Sequence, residues 1–194
     1  MGAGLGANTA ALQNPEVHSW LCLEPDPGLS GRLKEATKNL ETCTVVTGTI
    51  GDLSGRLFDS ILYIDVLEHI KSDREELEQA ARLLRTGGHL IVLSPAHQYL
   101  FSAFDAAIGH HRRYNRRSLS LCLPSGCRLE SMVYLDSSGM LASLANRLFL
   151  RESNPSVAQI EFWDSYLIPF SRVLDEVFGH RIGKTIVGVW TRMA

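Results

Sequence analysis

Short apolar runs alternate with helical segments through the first half of the chain, and this alternation most constrains the fold. Each run is short and is bounded by proline, glycine or acidic residues, which is typical of buried strands. The predicted strands cover residues 19–26, 43–48, 60–64 and 89–95. Segments of helical composition lie between them. Strands joined through helices form crossover units, so the pattern predicts an α/β domain with a doubly wound, mostly parallel sheet.

Residues 72–88 carry the clearest helical pattern. Asp73 and Glu76 have the spacing of a capping box, which predicts the start of the helix. Gly87 and Gly88 predict its end. Apolar side chains recur at the spacing of one helix face; they are Leu77, Ala80, Ala81 and Leu84.

The second half of the chain departs from the alternation. Residues 127–136 and 183–192 predict two late strands, which fit an antiparallel C-terminal edge on the sheet. We expect helical insertions over 96–125 and 139–180 that cover a substrate pocket. A helix is predicted for 139–150, and two helical pieces broken at Pro169 are predicted for 157–178.

Composition limits the class of protein. The chain has 194 residues, of which 45% are hydrophobic and 21% charged, which fits one domain with its own core. A net charge of −2 gives no field for nucleic acid, and no apolar run is long enough to span a bilayer. The four cysteines lack zinc or disulfide-framework spacing, so we expect reduced thiols in a cytoplasmic protein.

The chain opens with the sequence MGAGLGANTA, which places glycine at Gly2, Gly4 and Gly6. Glycine allows tight turns and the close approach of a ligand, and the residues after Gly6 are able to start a helix. The same letters would also suit a flexible terminus. Together with Ala7, they match the dinucleotide pattern G-x-G-x-x-A, which keeps an NAD-binding oxidoreductase open as an alternative.

Carboxylates follow two predicted strands. Glu24 ends the first strand, eighteen positions after Gly6, where a nucleotide-binding fold uses a carboxylate to hold the ribose hydroxyls. Asp65 follows the third strand, at the sheet edge where α/β proteins bind ligands. Glu68 and His69 come next, and two interpretations of them stay open: site residues, or the first turn of a connecting helix.

The insertion at 96–125 holds the candidate bases, which are His97, His110, His111 and Tyr114. Arg112 and Arg113 lie among them and are predicted to bind an anionic group of the substrate. Three interpretations stay open for the basic stretch: an active-site lid, a solvated helix face, or a contact with acidic phospholipid or nucleic acid. We expect no metal site, because His110 and His111 are adjacent and point apart.

Four stretches together resemble class I S-adenosylmethionine-dependent methyltransferases. In chain order they are GAGLG (2–6), EPD (24–26), DVLEHI (65–70) and LLRTGGHLIVLSP (83–95). Residues 93–119 further resemble a bacterial subgroup of the methyltransferase type 11/12-like enzymes. The resemblance covers nearly the whole chain and implies a Rossmann-like fold, with S-adenosylmethionine as cofactor and S-adenosylhomocysteine as product.

The resemblance also implies roles for individual residues. The glycine loop of residues 2–6, with Ala3, would face the amino acid part of the cofactor. Glu24 and Pro25 would lie at the ribose. The family often has an acidic residue beside the adenine, but Thr49 and Ile50 stand at that place here, with Asp52 late. Asp65 would lie by the cofactor at the mouth of the substrate pocket.

The sequence therefore predicts methyl transfer to a small-molecule or lipid-like acceptor, at oxygen. A methyltransferase-like binding protein without turnover is an alternative from another class. In this fold the glycine loop follows a central strand, so Met1 would be the last residue of that strand. We accordingly expect a single domain over 1–194 that is truncated at its N-terminus and is able to dimerise through an open sheet.

Overall fold

The computed structural model describes residues 1–145 and 163–194. Strands β1 (Trp20–Glu24) and β2 (Cys43–Thr47) form a parallel pair. A second sheet has the order β3-β4-β6-β5, formed by β3 (Phe58–Ile64), β4 (Leu84–Pro95), β5 (Cys127–Leu135) and β6 (Thr185–Arg192). β3 is parallel to β4, whereas β6 is antiparallel to both of its neighbours. The late pair does form an antiparallel edge, with β5 outermost and β6 one strand inside it.

Helices connect and flank the strands. The longer ones are α2 (Pro27–Thr37), α3 (Asp73–Arg82), α6 (Ser137–Ala145) and α7 (Ile168–Val177). Single turns are α1 (Ala7–Ala11), α4 (Ala103–Ala107) and α5 (Arg116–Ser120), and 3₁₀ turns cover Ile50–Leu53, Leu67–His69 and Gln98–Leu100. The α/β architecture predicted from the alternation and the Rossmann-like fold implied by the resemblance are confirmed. The described strands nevertheless form two sheets, and two of their four neighbouring pairs are antiparallel, so the sheet is mixed and not mostly parallel.

Helix α3 begins at Asp73, as predicted, but the predicted capping box and the predicted end are wrong. Ser72 is the N-cap and makes no side-chain cap, and the two carboxylates expected to form the box have tertiary partners. The Asp73 carboxylate accepts from Tyr114, and the Glu76 carboxylate accepts from the hydroxyl of Tyr63 at 2.8 Å. The helix ends at Arg82, and the two glycines predicted to end it lie inside β4.

Pro169 does not separate two helices in the way that the sequence predicts. A π-helical turn over Trp163–Leu167 leads into α7, and Pro169 occupies the first turn of α7, where its missing N–H has no helical partner to lose. The prediction for 157–162 and for 146–150 lies outside the described residues.

A groove of about 800 Å³ lies between the two sheets. Leu21 and Cys22 of β1 line one side, and Ile61 and Leu62 of β3 line the other. The first residues of the chain enter it at the carboxyl end of the strands. The ammonium of Met1 donates to the carbonyl of Leu62 at 2.8 Å, and the Ala3 amide donates to Leu23 at 3.0 Å. The glycine loop is thereby tied to both sheets.

The core fills the space between the four-stranded sheet and its helices. Its largest fully buried side chains include Trp190, Tyr63, Tyr114, Leu77, Leu90 and Ile186. Leu77, Ala80 and Ala81 of α3 are all buried, which confirms three positions of the predicted apolar face, whereas the fourth, Leu84, is the first residue of β4. The packing fixes the carboxyl ends of β3 and β4 side by side, where the candidate site lies.

Candidate active site

The glycine loop has a backbone that suits glycine. Its three glycines have φ angles of +57°, +54° and +87°, in the left-handed region that side chains disfavour. A Cβ added at Gly2 would lie 2.8 Å from the Val66 side chain, and one added at Gly6 would lie 2.8 Å from Leu33. A Cβ at Gly4 would meet no atom within 4 Å, so the loop is open there. The loop therefore combines close packing underneath with free space beside Gly4.

Glu24 holds the glycine loop in place. The amide of Gly4 donates to Glu24 Oε2 at 2.8 Å, and the amide of Asp26 donates to Oε1 at 3.1 Å. The residue is only 5% exposed. Each carboxylate oxygen keeps acceptor capacity beyond these bonds. Glu24 is thus fixed at the end of β1, beside the loop, and Pro25 is exposed next to it.

Asp52 is held in place by hydrogen bonds within the turn after β2, so its position does not require a ligand. Its carboxylate accepts from the amide and the hydroxyl of Thr49 at 2.7 and 3.0 Å, in a capping box. These hydrogen bonds lower the pKa of Asp52. Ile50 is 4% exposed and belongs to the core. Thr49 remains at the surface of this turn.

Asp65 begins the loop after β3 in a left-handed conformation, with φ +52°. Its amide donates to the carbonyl of Leu93, which places it beside the carboxyl end of β4. Desolvation by the surrounding protein raises its pKa, and Coulombic interactions with His110 and Lys184 partly oppose this. Asp65 thus directly follows β3 at its carboxyl end, the position that the sequence predicts for it.

A buried charged network lies next to Asp65. Glu68 is fully buried, and its Oε2 accepts from the hydroxyl of Ser94 at 3.0 Å. His110 Nδ1 lies 2.9 Å from Asp105, and its Nε2 lies 3.8 Å from Glu68 Oε1. Arg113 donates to both oxygens of Asp105, at 2.9 and 3.0 Å. The structure thus joins the DVLEHI loop to the later insertion.

His69 completes what we call the Glu68 cluster: Glu68, His69, Asp105 and His110. The rings of His69 and His110 meet edge to face with centroids 4.5 Å apart. One ligand atom from each of Glu68, His69 and His110 lies within 4.8 Å of the others. The adjacent pair His110 and His111 predicts no metal site by itself. The set of three was not predicted, because Glu68 and His69 lie about forty positions before His110 in the chain.

Burial raises the pKa of Glu68 to about 7, and the neighbouring Asp65 adds to the effect, although hydrogen bonds oppose it. Burial lowers the pKa of His69, and the nearby His110 adds to that effect. These shifts have one physical origin, because the cluster is poorly solvated and carries several charges in a small space.

The remaining candidate bases are placed differently. His97 has φ +65°, its Nε2 lies 3.0 Å from the carbonyl of Gly183, and its ring stacks on Tyr134. Burial lowers its pKa. His111 is exposed, and its amide donates to the carbonyl of Glu68. Tyr114 is 1% exposed, and its hydroxyl donates to Asp73 at 2.8 Å, so its hydroxyl is used within the core.

Both predicted substrate-binding arginines have partners within the chain. Arg112 lies 2.5 Å from Asp73 and donates to the carbonyl of Lys71, whereas Arg113 holds Asp105. Sequence reasoning did not identify Asp105 at all. The only local signal was Ser102 three residues before it, which does form a capping box with it.

In α7 and the π-helical turn before it, the aromatic side chains that the structure describes are exposed and do not belong to the core. Tyr166 is 67% exposed and Phe170 is 55% exposed. The side chain of Trp163 lies outside the described part of the structure. Within that described part, no helix is long and apolar enough to cross a membrane.

Comparison with known proteins agrees with this architecture. Residues 1–92 match the family model described as a methyltransferase domain. No curated protein sequence matches the chain.

Solved structures of the same fold cover the chain almost completely. A methyltransferase in complex with a methyltransferase activator from Haloferax volcanii is 15% identical, with a TM-score of 0.67, over 100% of this chain and 80% of that one. The N-methyltransferase NodS from Bradyrhizobium japonicum, in complex with S-adenosyl-L-homocysteine, is 16% identical, with a TM-score of 0.60, over 98% and 74%. The [4+2]-cyclase SpnF is 13% identical, with a TM-score of 0.65, over 100% and 74%.

Proposed function

We propose that this chain is a class I S-adenosylmethionine-dependent methyltransferase that methylates an oxygen atom of a small-molecule or lipid-like acceptor. The match of residues 1–92 to a methyltransferase domain and the shared fold support this assignment. The observation that carries the proposal is the joining of two features at one sheet edge. The glycine loop held by Glu24 supplies a cofactor cradle. The Glu68 cluster supplies buried acid–base groups beside it.

The residues of the glycine loop fit the proposed cofactor. Open space at Gly4 leaves room for the amino acid part of the molecule, and the loop backbone is able to approach it closely. Glu24 keeps free acceptor capacity for the ribose hydroxyls. Thr49 and the buried Ile50 lie at the end of the next strand, where an apolar contact with adenine is expected. The cofactor supplies a sulfonium methyl group that is already activated for displacement.

The protein's own task is to hold the acceptor in line with that methyl group and to exclude water, which contributes several kcal/mol to the barrier reduction. An acceptor hydroxyl also needs its proton removed, since it is otherwise a weak nucleophile. The Glu68 cluster is the place where that activation would occur. The hydroxyl of Tyr114 is already used in the core, and the side chain of His111 is exposed to solvent.

An apolar acceptor is supported by the last helical region. α7 exposes Phe170, Val173 and Val177. The helix is anchored at the carboxyl edge of the sheet, because Asp175 accepts from the amides of Asp136 and Ser137 directly after β5. We therefore propose that this region covers the substrate pocket, as the two insertions of the sequence suggest.

Calorimetric titration with S-adenosylmethionine tests the cofactor site. We expect Glu24→Gln to weaken binding by about 1–3 kcal/mol, because a charge-assisted hydrogen bond is lost. Glu35→Gln, at an exposed helix position, is the matched control and should bind like the parent chain. Equal affinity for Glu24→Gln and the parent would remove Glu24 from the site.

Turnover separates the proposed enzyme from a binding protein of the same fold. The purified chain is incubated with radiolabelled S-adenosylmethionine and a panel of hydroxylated aromatic and lipid-like acceptors. We expect a labelled product in which the methyl group is joined to the acceptor through an ether bond. Cofactor binding without product across oxygen, nitrogen and sulfur acceptors would favour the binding protein.

Sedimentation of the same samples tests the proposed dimer through the open sheet edges, which should appear as twice the monomer mass.

A further inference from the structure

We propose that Glu68, His69 and His110 bind a divalent transition-metal ion at the carboxyl edge of the sheet. The binding itself is independent of the proposed function. The use that we assign to the ion rests on that function: it holds and acidifies the acceptor hydroxyl.

The three ligand groups have suitable spacing. His110 Nε2 and Glu68 Oε1 are 3.8 Å apart, and the third ligand atom, from His69, completes a set within 4.8 Å. Two ligand atoms that lie about 2.1 Å from one ion at the tetrahedral angle are roughly 3.4 Å apart. Small side-chain rotations therefore bring this set onto one ion, and the exposed side of His69 leaves the fourth position accessible.

Each ligand is also held from behind. The second ring nitrogen of His110 is bonded to Asp105, which Arg113 fixes in turn. The Nδ1 side of the His69 ring faces the backbone of Gly109, since a Cβ built there would lie 3.7 Å from Nδ1. The second oxygen of Glu68 is held by Ser94. Metal-binding histidines and carboxylates typically have such partners, which fix the ring tautomer and leave the ligand atom free.

Glu68 supplies a second, independent observation. Its Oε1 is buried and has no hydrogen-bond partner, while the whole residue is 0% exposed. A buried carboxylate oxygen without a donor is costly, and it indicates an unseen ligand. That oxygen is the atom directed at His110. A cation between them would satisfy it.

The donor set selects the class of ion. Two imidazoles and one carboxylate suit zinc(II) and neighbouring transition metals, whereas magnesium prefers oxygen ligands and retains several waters. In the reaction, the acceptor hydroxyl would occupy the open position and release its proton to solvent. Its oxygen lone pair then forms the bond to the methyl carbon. The carbon–sulfur bond breaks, and sulfur keeps the electron pair as S-adenosylhomocysteine forms.

Zinc titration of the full chain tests the site. After treatment with a chelator, the parent protein should bind one zinc ion and should not bind magnesium with comparable affinity. His110→Gln and Glu68→Gln should each weaken zinc binding at least roughly tenfold. His111→Gln is the matched control, because this neighbouring histidine is exposed, and it should retain parental zinc affinity.

His69→Asn keeps the test valid if the buried variants fail to fold, because His69 is exposed and its replacement should leave the unfolding midpoint unchanged. Visible absorption of bound cobalt(II) reports the ligand set and should change in His69→Asn but not in His111→Gln. Parental zinc affinity in His69→Asn, or equal loss in His111→Gln, would overturn the proposal. S-adenosylmethionine affinity, measured separately on chelated protein, shows whether the proposed function fails independently of the metal site.

Discussion

The glycine loop and the later segment 97–114 meet at one edge of the sheet, but they are built by opposite means. The loop uses backbone: three glycines at positive φ, and amides that contact Glu24 and neighbouring strands. The later segment uses side chains, whose charges pair with one another and with α3. A short local pattern is sufficient for the first kind of construction, whereas the second exists only after distant residues have come together.

The two regions should therefore tolerate different substitutions. Added side chains should disturb the loop, because its backbone conformation and close packing exclude them. Removed charges should disturb segment 97–114, because each buried charge there depends on its partner. Both expectations can be tested by the free energy of unfolding of single variants.

The largest effect is expected for Asp105→Asn. Asp105 is 1% exposed and accepts from Ser102, His110 and Arg113. Loss of its charge leaves the Arg113 guanidinium without its partner and should lower the free energy of unfolding by about 3 kcal/mol in urea denaturation. Asp59→Asn removes an exposed ion pair with Arg85 and should change it by less than about 0.5 kcal/mol. Similar losses in the two variants would contradict the role of burial.

An intermediate effect is expected for Gly6→Ala. The added methyl group meets Leu33 Cδ1 at 2.8 Å in a left-handed backbone, so we expect a loss of about 2 kcal/mol in the free energy of unfolding. Gly4→Ala shares the backbone strain, with φ +54°, but has open space around it, and should lose only about 1 kcal/mol. If both variants unfold alike, packing under the loop is not what requires glycine.

The smallest effect concerns pH. Burial alone would raise the pKa of Asp73, but hydrogen bonds from Arg112 and Tyr114 lower it below its ordinary value of 3.8. Its contribution to stability is therefore present above pH 3.8 and is lost as pH falls through the folded-state pKa. Asp73→Asn should be less stable than the parent by about 1 kcal/mol near neutral pH, and the difference should shrink in acid. A constant difference across this range would show that Asp73 does not act through its charge.

Local patterns predicted much of the fold. The strands at β1, β2, β3 and β6 begin and end within a few residues of their predicted positions, because short apolar runs between turn residues have few alternatives. The predicted capping box of α3 was wrong, because Asp73 and Glu76 form tertiary hydrogen bonds with Tyr114 and Tyr63. Its predicted end was wrong because the chain from Leu84 onward pairs as β4. Local propensity could not show that competition.

The candidate site was predicted less completely. Glu24 and Asp65 lie at the strand ends where the spacing places them, although their roles toward a ligand stay predictions. Arg112 and Arg113 were assigned to the substrate, and the structure pairs them with Asp73 and Asp105. A charge in a sequence does not indicate whether its partner is a ligand or a residue from the same chain.

Local sequence patterns were sufficient to predict the strands of the first half of the chain and the glycine-rich turn at its start, because each depends on residues that are close together in the chain. The grouping of Glu68, His69, Asp105 and His110 into one cluster became visible only in the folded chain. The parallel pairing of β3 with β4 brings Glu68 to Ser94, and the turn at Gly109 directs His110 back onto them. Buried ion pairs and hydrogen bonds form between residues that the fold brings together. The spacing of those residues along the chain does not indicate that they will be in contact.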